Sequence, residues 1–177
     1  VFDWKATFGR EAPRVVDLGC GNGRYLISSA LARPGHDHVG IDLVQVAVDH
    51  AAQRANQRGL TNVRFAIGDV VTWMEQRFAA GSLDEVHIYH PQPYYEADAP
   101  NRRLLTAAFL ERTWKVLRPR GLLVLQTDNR EYWTYLVAAV QKHFEVERLP
   151  LAWPEAPEGR TRREIQAKEK GLRVWRM

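Results

Sequence analysis

The sequence predicts an α/β protein: a mostly parallel sheet of seven strands, helices on both faces and an antiparallel strand at one edge. Three observations predict it. Short apolar runs bounded by turn residues alternate with helix-periodic segments, a glycine-rich turn follows the first run, and carboxylates close the first three runs. Strand, helix, strand in strict succession requires crossover connections, which place parallel strands beneath helices.

RVVDL (14–18) is the first buried run, followed by the helical segment RYLISSALA (24–32). HVGIDL (38–43) and NVRFAI (62–67) are the next two strands, with VQVAVDHAAQRANQR (44–58) between them and a short helix VTWMEQRF (71–78) after them. LDEVHIY (83–89) and GLLVLQT (121–127) flank the helical segment RLLTAAFLERTWKVL (103–117), and REYWTYLVAAVQK (130–142) is the last predicted helix. HFEVERL (143–149) and LRVWRM (172–177) supply the two final strands, pairing antiparallel at an edge. PLAWPEAPEGR (150–160) lies between them, and its Pro and Gly content predicts a surface loop.

The 177 residues suit one domain spanning 1–177 with a full core. Hydrophobic content of 45% with 26% charged residues excludes disordered and fibrous classes. Cys20 is the only cysteine, so no intramolecular disulfide can form, and a reducing compartment, the cytoplasm, is expected. No apolar run approaches a membrane span, and VFDWKATFGR lacks a signal peptide's apolar stretch. The chain begins at Val1 rather than Met, which leaves room for a preceding segment. The net charge of +4 is uneven. From Gly159 onward seven Lys/Arg face two Glu, a net +5 against −1 for everything before. That tail reads either as a footprint for nucleic acid or as a solubilising surface.

Ligands of parallel sheets gather outside the carboxyl ends of the strands, so polar residues directly after each strand are the candidates. VVDLGCGNGRY places Asp17 at the first strand end and Gly19, Gly21 and Gly23 in the turn. VGIDL places Asp42 25 residues further on, where a carboxylate can accept from both ribose hydroxyls. FAIGDV places Asp69 where it can accept from an adenine amine, with a helix cap as the alternative reading. Three carboxylates suit a cofactor with an ammonium, a ribose and an adenine but no phosphate: S-adenosylmethionine. A dinucleotide's pyrophosphate would be repelled by Asp17, and no G-K-[ST] follows the glycines as a P-loop requires. His87 and His90 suggest a metal, but strand residues three apart point to opposite faces and no Cys/His cluster accompanies them, so no metal is expected.

With DLGCGNG, GIDL and GDV placed, the chain resembles the Rossmann-like class I S-adenosylmethionine-dependent methyltransferases. The stretch SLDEVHIYHPQPYYEADAPNRRLLTAAFLERTWKVLRPRGLLVLQTDNREYW is similar to the tRNA (guanine-N7)-methyltransferase family, whose members read approximately F-P-D-P-W-x-K-x-R-H-x-K-R-R-L, then a helix, L-K-P-G-G and a T-D pair. The tail TRREIQAKEKGLRVW resembles that family's T-x-[FY]-E motif followed by Gly and V-W. The resemblance covers nearly the whole chain. It implies transfer of a methyl group from S-adenosylmethionine to guanine N7 in tRNA, with S-adenosylhomocysteine as product. It further implies cofactor contacts from Asp17, Gly19, Gly21, Gly23, Asp42, Leu43, Asp69, Val70 and His90. Asp128, Thr161, Arg162, Arg163 and Glu164 would face the guanine or its tRNA, Tyr94 and Tyr95 would stack on a base, and Arg102 and Arg103 match the paired arginines. Gly121 matches the family glycine after the fourth helix, with Arg120 in place of its neighbour.

The chain also departs from the pattern. Gln92 stands at the family's catalytic aspartate, Glu96 replaces a lysine, Asp98 and Ala99 replace an arginine and a histidine, and Arg163 replaces the aromatic of T-x-[FY]-E. Guanine N7 carries an exposed lone pair and no proton, so alignment matters more than a strong base. Gln92 can position a base but lacks the charge that would stabilise the shift of positive charge onto the purine, so slower chemistry is expected. P-Q-P-Y also resembles the [DNS]-P-P-[FYW] turn of amino-group methyltransferases, which leaves methylation of an exocyclic amine as an alternative. A catalytically silent RNA-binding protein of the same fold is another.

Overall fold

The computed structural model describes residues 1–93 and 103–177. A short helix α1 (Trp4–Phe8) opens the chain; the Asp3 carboxylate caps it on Ala6 N, and Gly9 stops it at a φ of 72°. β1 (Arg14–Leu18), α2 (Arg24–Ala32), β2 (Asp37–Asp42), α3 (Gln45–Gln57), β3 (Val63–Ile67) and α4 (Val70–Gln76) follow. Next come β4 (Leu83–Tyr89), α5 (Ala107–Val116), β5 (Leu117–Thr127), α6 (Arg130–Val140), α7 (Arg162–Glu169) and β6 (Trp175–Arg176). The strand order is β3-β2-β1-β4-β5-β6, parallel except for β6, which runs antiparallel to β5. The order reverses between β1 and β4, and that switch point opens a crevice at their carboxyl ends.

Alternate residues of the central strands enter two apolar layers, as the period of a strand dictates. Val15 packs with Leu26 and Ile27 of α2 and Ala55 of α3. Val16 and Leu18 share the other layer with Met74 of α4, Leu110 of α5 and Leu136 of α6. β5 begins four residues before the predicted start and takes Pro119 and Arg120 into a register shift: Leu83 pairs with Leu117, but Glu85 pairs with Leu122. The bulge tolerates a proline because the extra residues leave the ladder.

Among the described residues the seven predicted strands become six. HFEVERL keeps its alternating pattern, with Phe144 and Val146 partly buried against the α4–α6 layer, but it forms no strand. It turns around the sheet edge, so that Leu149 joins the α2 layer and donates its N–H to Arg176 O at 3.0 Å. LRVWRM contributes only two strand residues. The predicted surface loop is anchored by Trp153, only 6% exposed, whose indole N–H donates to Gln126 Oε1 at 2.7 Å. Among the described residues two helices lay outside the sequence expectation. α1 is one turn long, and α7 (RREIQAKE) has too polar a face to show an apolar stripe.

α7 docks instead through a charge. Glu164 is fully buried and accepts from Arg176 Nη2, Gln126 Nε2 and Arg160 N, joining α7 to β5 and β6. Removing one partner of such a pair strands the other in the interior. Glu164→Ala should therefore lower the unfolding free energy by roughly 3–5 kcal/mol, with part recovered when Arg176→Met is added. Urea denaturation of the single and double variants checks this; no recovery in the double variant would locate the loss elsewhere.

Candidate functional site

The carboxyl ends of β1, β4 and β5 and the start of α7 enclose a cleft of about 750 Å³. On the β1 side Asp17 is 2% exposed, and its Oδ1 has no hydrogen-bond partner among the described residues. Burial, and then the charge of Asp42, raises its carboxyl to about 8, while Arg160 pulls it back. The turn that follows has Gly19 at φ 80°, Gly21 at 51° and Gly23 at 72°. A Cβ on Gly23 would sit 2.8 Å from Ala51 Cβ and the Phe65 ring, so glycine there lets α2 close on α3 and β3. Around Gly19 and Gly21 a Cβ would meet nothing within 4 Å, which leaves backbone facing open space.

Asp42 accepts from Gly21 N at 2.8 Å through one oxygen and from Val44 N at 2.9 Å through the other, tying its loop to the glycine turn. Each oxygen keeps a second lone pair. Asp69 is the exposed N-cap of α4, with Oδ1 accepting from Thr72 N and Thr72 Oγ1, so the helix-cap reading describes its geometry. Oδ2 stays outside the cap. Leu43 is 66% exposed and Val70 is the first residue of α4; with Asp42 and Asp69 they stand at the β2 and β3 ends, outside the lining of the cleft. Cys20 lines it, but burial beside Asp17 and Asp42 pushes its thiol up, which makes it inert. The orphaned Oδ1 of Asp17 is the acceptor that an ammonium satisfies, beside a turn with no side chain in the way. The residues present thus fit the methionine end of S-adenosylmethionine.

On the opposite wall, β4 is followed directly by His90, held at φ 51° by the bond from its N–H to Gln126 O at 2.7 Å. Pro91, exposed Gln92 and Pro93 continue along the cleft. Arg103 donates to Pro93 O at 3.0 Å and lies over the rings of Tyr132 and Tyr135, which ties this turn to α6 and turns the guanidinium inward. Tyr94, Tyr95, Glu96, Asp98, Ala99 and Arg102 lie outside the described residues. Asp128, just past β5, accepts from His90 Nδ1 at 3.2 Å and from Arg163 Nε at 3.0 Å, and Arg163 Nη2 forms an ion-pair contact 2.9 Å from the same oxygen as Nε. Burial works against its ionisation, but the His90 bond and the charge of Arg163 outweigh it and hold the carboxyl below its ordinary range. Thr161 caps α7 on Glu164 N and lines the cleft with exposed Arg162 and Arg163. Glu164 sits behind that wall with its oxygens taken by the chain's own donors.

A second polar cluster backs the cleft. Glu85, His87 and Tyr89 alternate along β4 on one face. Glu85 accepts from Arg33 at 2.6 Å and meets His87 Nε2 at 2.8 Å, His87 Nδ1 meets Tyr89 Oη at 2.8 Å, and Arg160 donates to the same Oη at 2.8 Å. Arg160 also stacks 3.5 Å above the Trp153 ring. Sequence reasoning missed Gln126, Trp153, Arg160 and Arg176; polar residues two apart on a buried strand were the available signal for Glu85, His87 and Tyr89. Arg160 and Arg176 are spent internally, so the basic tail presents fewer cations to solvent than its charge suggests. Among the described residues no cluster of three His, Cys, Asp or Glu could hold a metal ion, and no helix is long and apolar enough to cross a membrane.

Residues 11–177 match the protein family described as "Putative methyltransferase". The tRNA (guanine-N(7)-)-methyltransferase of Halorhodospira halophila is 34% identical over 178 residues, spanning 98% of this chain and 77% of that protein. Its namesake from Burkholderia vietnamiensis is 31% identical over 175 residues, or 98% and 69% of the two chains. Among solved structures, precorrin-6y C5,15-methyltransferase from Geobacter metallireducens superposes with a TM-score of 0.61 at 13% identity over 81% of this chain and 70% of that one. Geranyl diphosphate C-methyltransferase from Streptomyces coelicolor, solved with S-adenosyl-L-homocysteine, gives 0.60 at 15% identity over 97% and 74%. These structural likenesses establish a shared methyltransferase fold. With relatives aligned along almost its entire length, the chain belongs to the tRNA (guanine-N7)-methyltransferase family.

Proposed function

We propose that the protein transfers the methyl group of S-adenosylmethionine to N7 of a guanine in tRNA, in the cytoplasm. The observation that carries this reading is one cleft with a buried carboxylate at one end, whose Oδ1 has no partner among the described residues, and Asp128, Thr161 and Arg163 at the other. S-adenosylmethionine supplies a methyl group on a positively charged sulfur. Asp17 takes the ammonium, Asp42 the ribose hydroxyls and Asp69 the adenine amine, while Gly19 and Gly21 keep the approach clear. Asp128 and Thr161 address the guanine. Glu164 supports them from behind, since its oxygens are already bonded. N7 needs no deprotonation, so the protein's task is to align its lone pair and keep water out. Gln92, exposed on the cleft rim, can orient the base through its amide but leaves the purine's growing positive charge unbalanced. Exposed Arg162, Lys170 and Arg173 are left to meet phosphates.

Labelled S-adenosylmethionine incubated with tRNA lacking the N7 methyl group should give transfer located by strand cleavage at the modified base. Gln92→Asp should raise the rate by about tenfold, equal to ~1.4 kcal/mol of restored stabilisation. A fall with Asp would point to an exocyclic amine as the acceptor instead, and no transfer with either residue to a silent binder. Arg162→Ala should weaken tRNA binding and flatten the plot of log affinity against log salt by about 1 unit.

Asp17 predicts a pH signature. Holding a cation needs the charged carboxylate, so cofactor affinity measured calorimetrically should rise between pH 6 and about 8, and Asp17→Asn should bind weakly with no such rise. Stability of the ligand-free protein runs the other way. A carboxyl whose folded value lies above its unfolded one makes the fold less stable as pH climbs from about 4 to about 8. Asp17→Asn should therefore gain on the parent across that window in denaturation experiments.

A further inference from the structure

Gln126 is fully buried, and its surroundings determine which way its amide points. Trp153 Nε1 and Arg176 Nε lie 2.7 and 3.1 Å from Oε1, and both are donors only, so the oxygen must face them. The opposite side, Nε2, then donates one hydrogen to Glu164 Oε2 at 3.1 Å and the other to His90 Nε2 at 2.9 Å. His90 Nε2 is thereby an acceptor. Its ring proton sits on Nδ1, directed at Asp128 Oδ1. Asp128, Glu164 and Arg163 are the charged groups facing this ring, and burial holds its pKa below the ordinary histidine value, which keeps it neutral.

The relay leaves Asp128 Oδ2 to Arg163 alone among the described residues. Arg163 is 59% exposed along its side chain, and it places two adjacent nitrogens against that one oxygen, Nε donating at 3.0 Å and Nη2 in ion-pair contact at 2.9 Å. A guanine offers a carboxylate the same pattern along its N1–H and 2-amino edge. His90 and Arg163 are also both positions where the chain is polar and the family pattern carries an aromatic residue.

We propose that Gln126 and His90 are positioning residues, which hold Asp128 so that its outer oxygen receives the paired N–H donors of the guanine in place of Arg163. The inference deepens the guanine reading of the cleft and rests on it for the base, though not for the relay. Asp128 arrives already ionised and oriented by a neutral donor, and the exposed Arg163 occupies its outer oxygen in the free protein.

Two measurements on the full chain test it. Long-range ¹H–¹⁵N spectra of the ligand-free protein should show His90 neutral at pH 7, with hydrogen on Nδ1 and none on Nε2; an Nε2-protonated ring overturns the relay. Methyl transfer is then compared on tRNA carrying guanosine or inosine at the target, since inosine lacks the 2-amino donor. The parent protein should lose about tenfold in kcat/KM on inosine, an effect of the size of one lost hydrogen bond to a charged group. In His90→Phe that penalty should shrink below about threefold, and His90→Asn, which keeps a donor near Nδ1, should restore it. An undiminished penalty in a folded His90→Phe overturns the positioning role. Absence of transfer by the parent protein would overturn the guanine reading and the base contact with it, while the spectra still decide the relay.

Discussion

The buried carboxylate of Glu164 is the contact on which the substrate side of the protein depends. One side chain gathers Arg176 from β6, Gln126 from β5 and the backbone of Arg160 at the entry to α7. Desolvating this carboxylate and guanidinium is costly, and the arrangement is tolerable because nearly every polar atom in it finds a partner. What the pair supplies is geometry. Without it, a two-residue edge strand and a helix with almost no apolar stripe would have little to fix them against the sheet. With it, Trp153 is drawn onto the sheet face, the Gln126 amide has one orientation, and the cleft acquires a rigid wall.

The cofactor end is built on the opposite principle. Asp17 is buried with one oxygen unsatisfied among the described residues and with Asp42 close enough to raise its carboxyl further. Alone, this is a defect in the fold, located at the switch point of the sheet where ligands of α/β proteins bind. The free energy lost there is recoverable by a cation, so an instability of the empty protein becomes selectivity for a positively charged ligand.

Between the two ends runs the polar ladder of Glu85, His87 and Tyr89. Burial works against the Glu85 charge, yet the bonds from His87 and Arg33 prevail and bring its carboxyl down to about 2. Arg160 crosses from this ladder to Trp153 and to the start of α7. The packing of α2 under the cofactor turn and the placement of α7 over the substrate wall therefore share one set of side chains.

The sequence alone determined the alternation of strands and helices, the glycine turn and the carboxylates at three strand ends, because these are encoded locally. A continuous apolar run reads as a buried strand, and Asp17 and Asp42 lie within the last two residues of such runs while Asp69 sits two residues beyond one. The family resemblance also rested on contiguous residues. Tertiary structure decided everything that needed two distant segments. HFEVERL has the alternation of a strand but wraps the edge; PLAWPEAPEGR reads as surface but buries Trp153; Glu164, part of a recognisable motif, turned out to hold Arg176 behind the cleft wall. The orientation of Gln126, and through it the proton on His90, depends on donors at 153 and 176 that no local pattern connects. Hydrogen bonds between buried side chains are set by where the folded chain brings them, and periodicity in the sequence carries information about faces but not about partners.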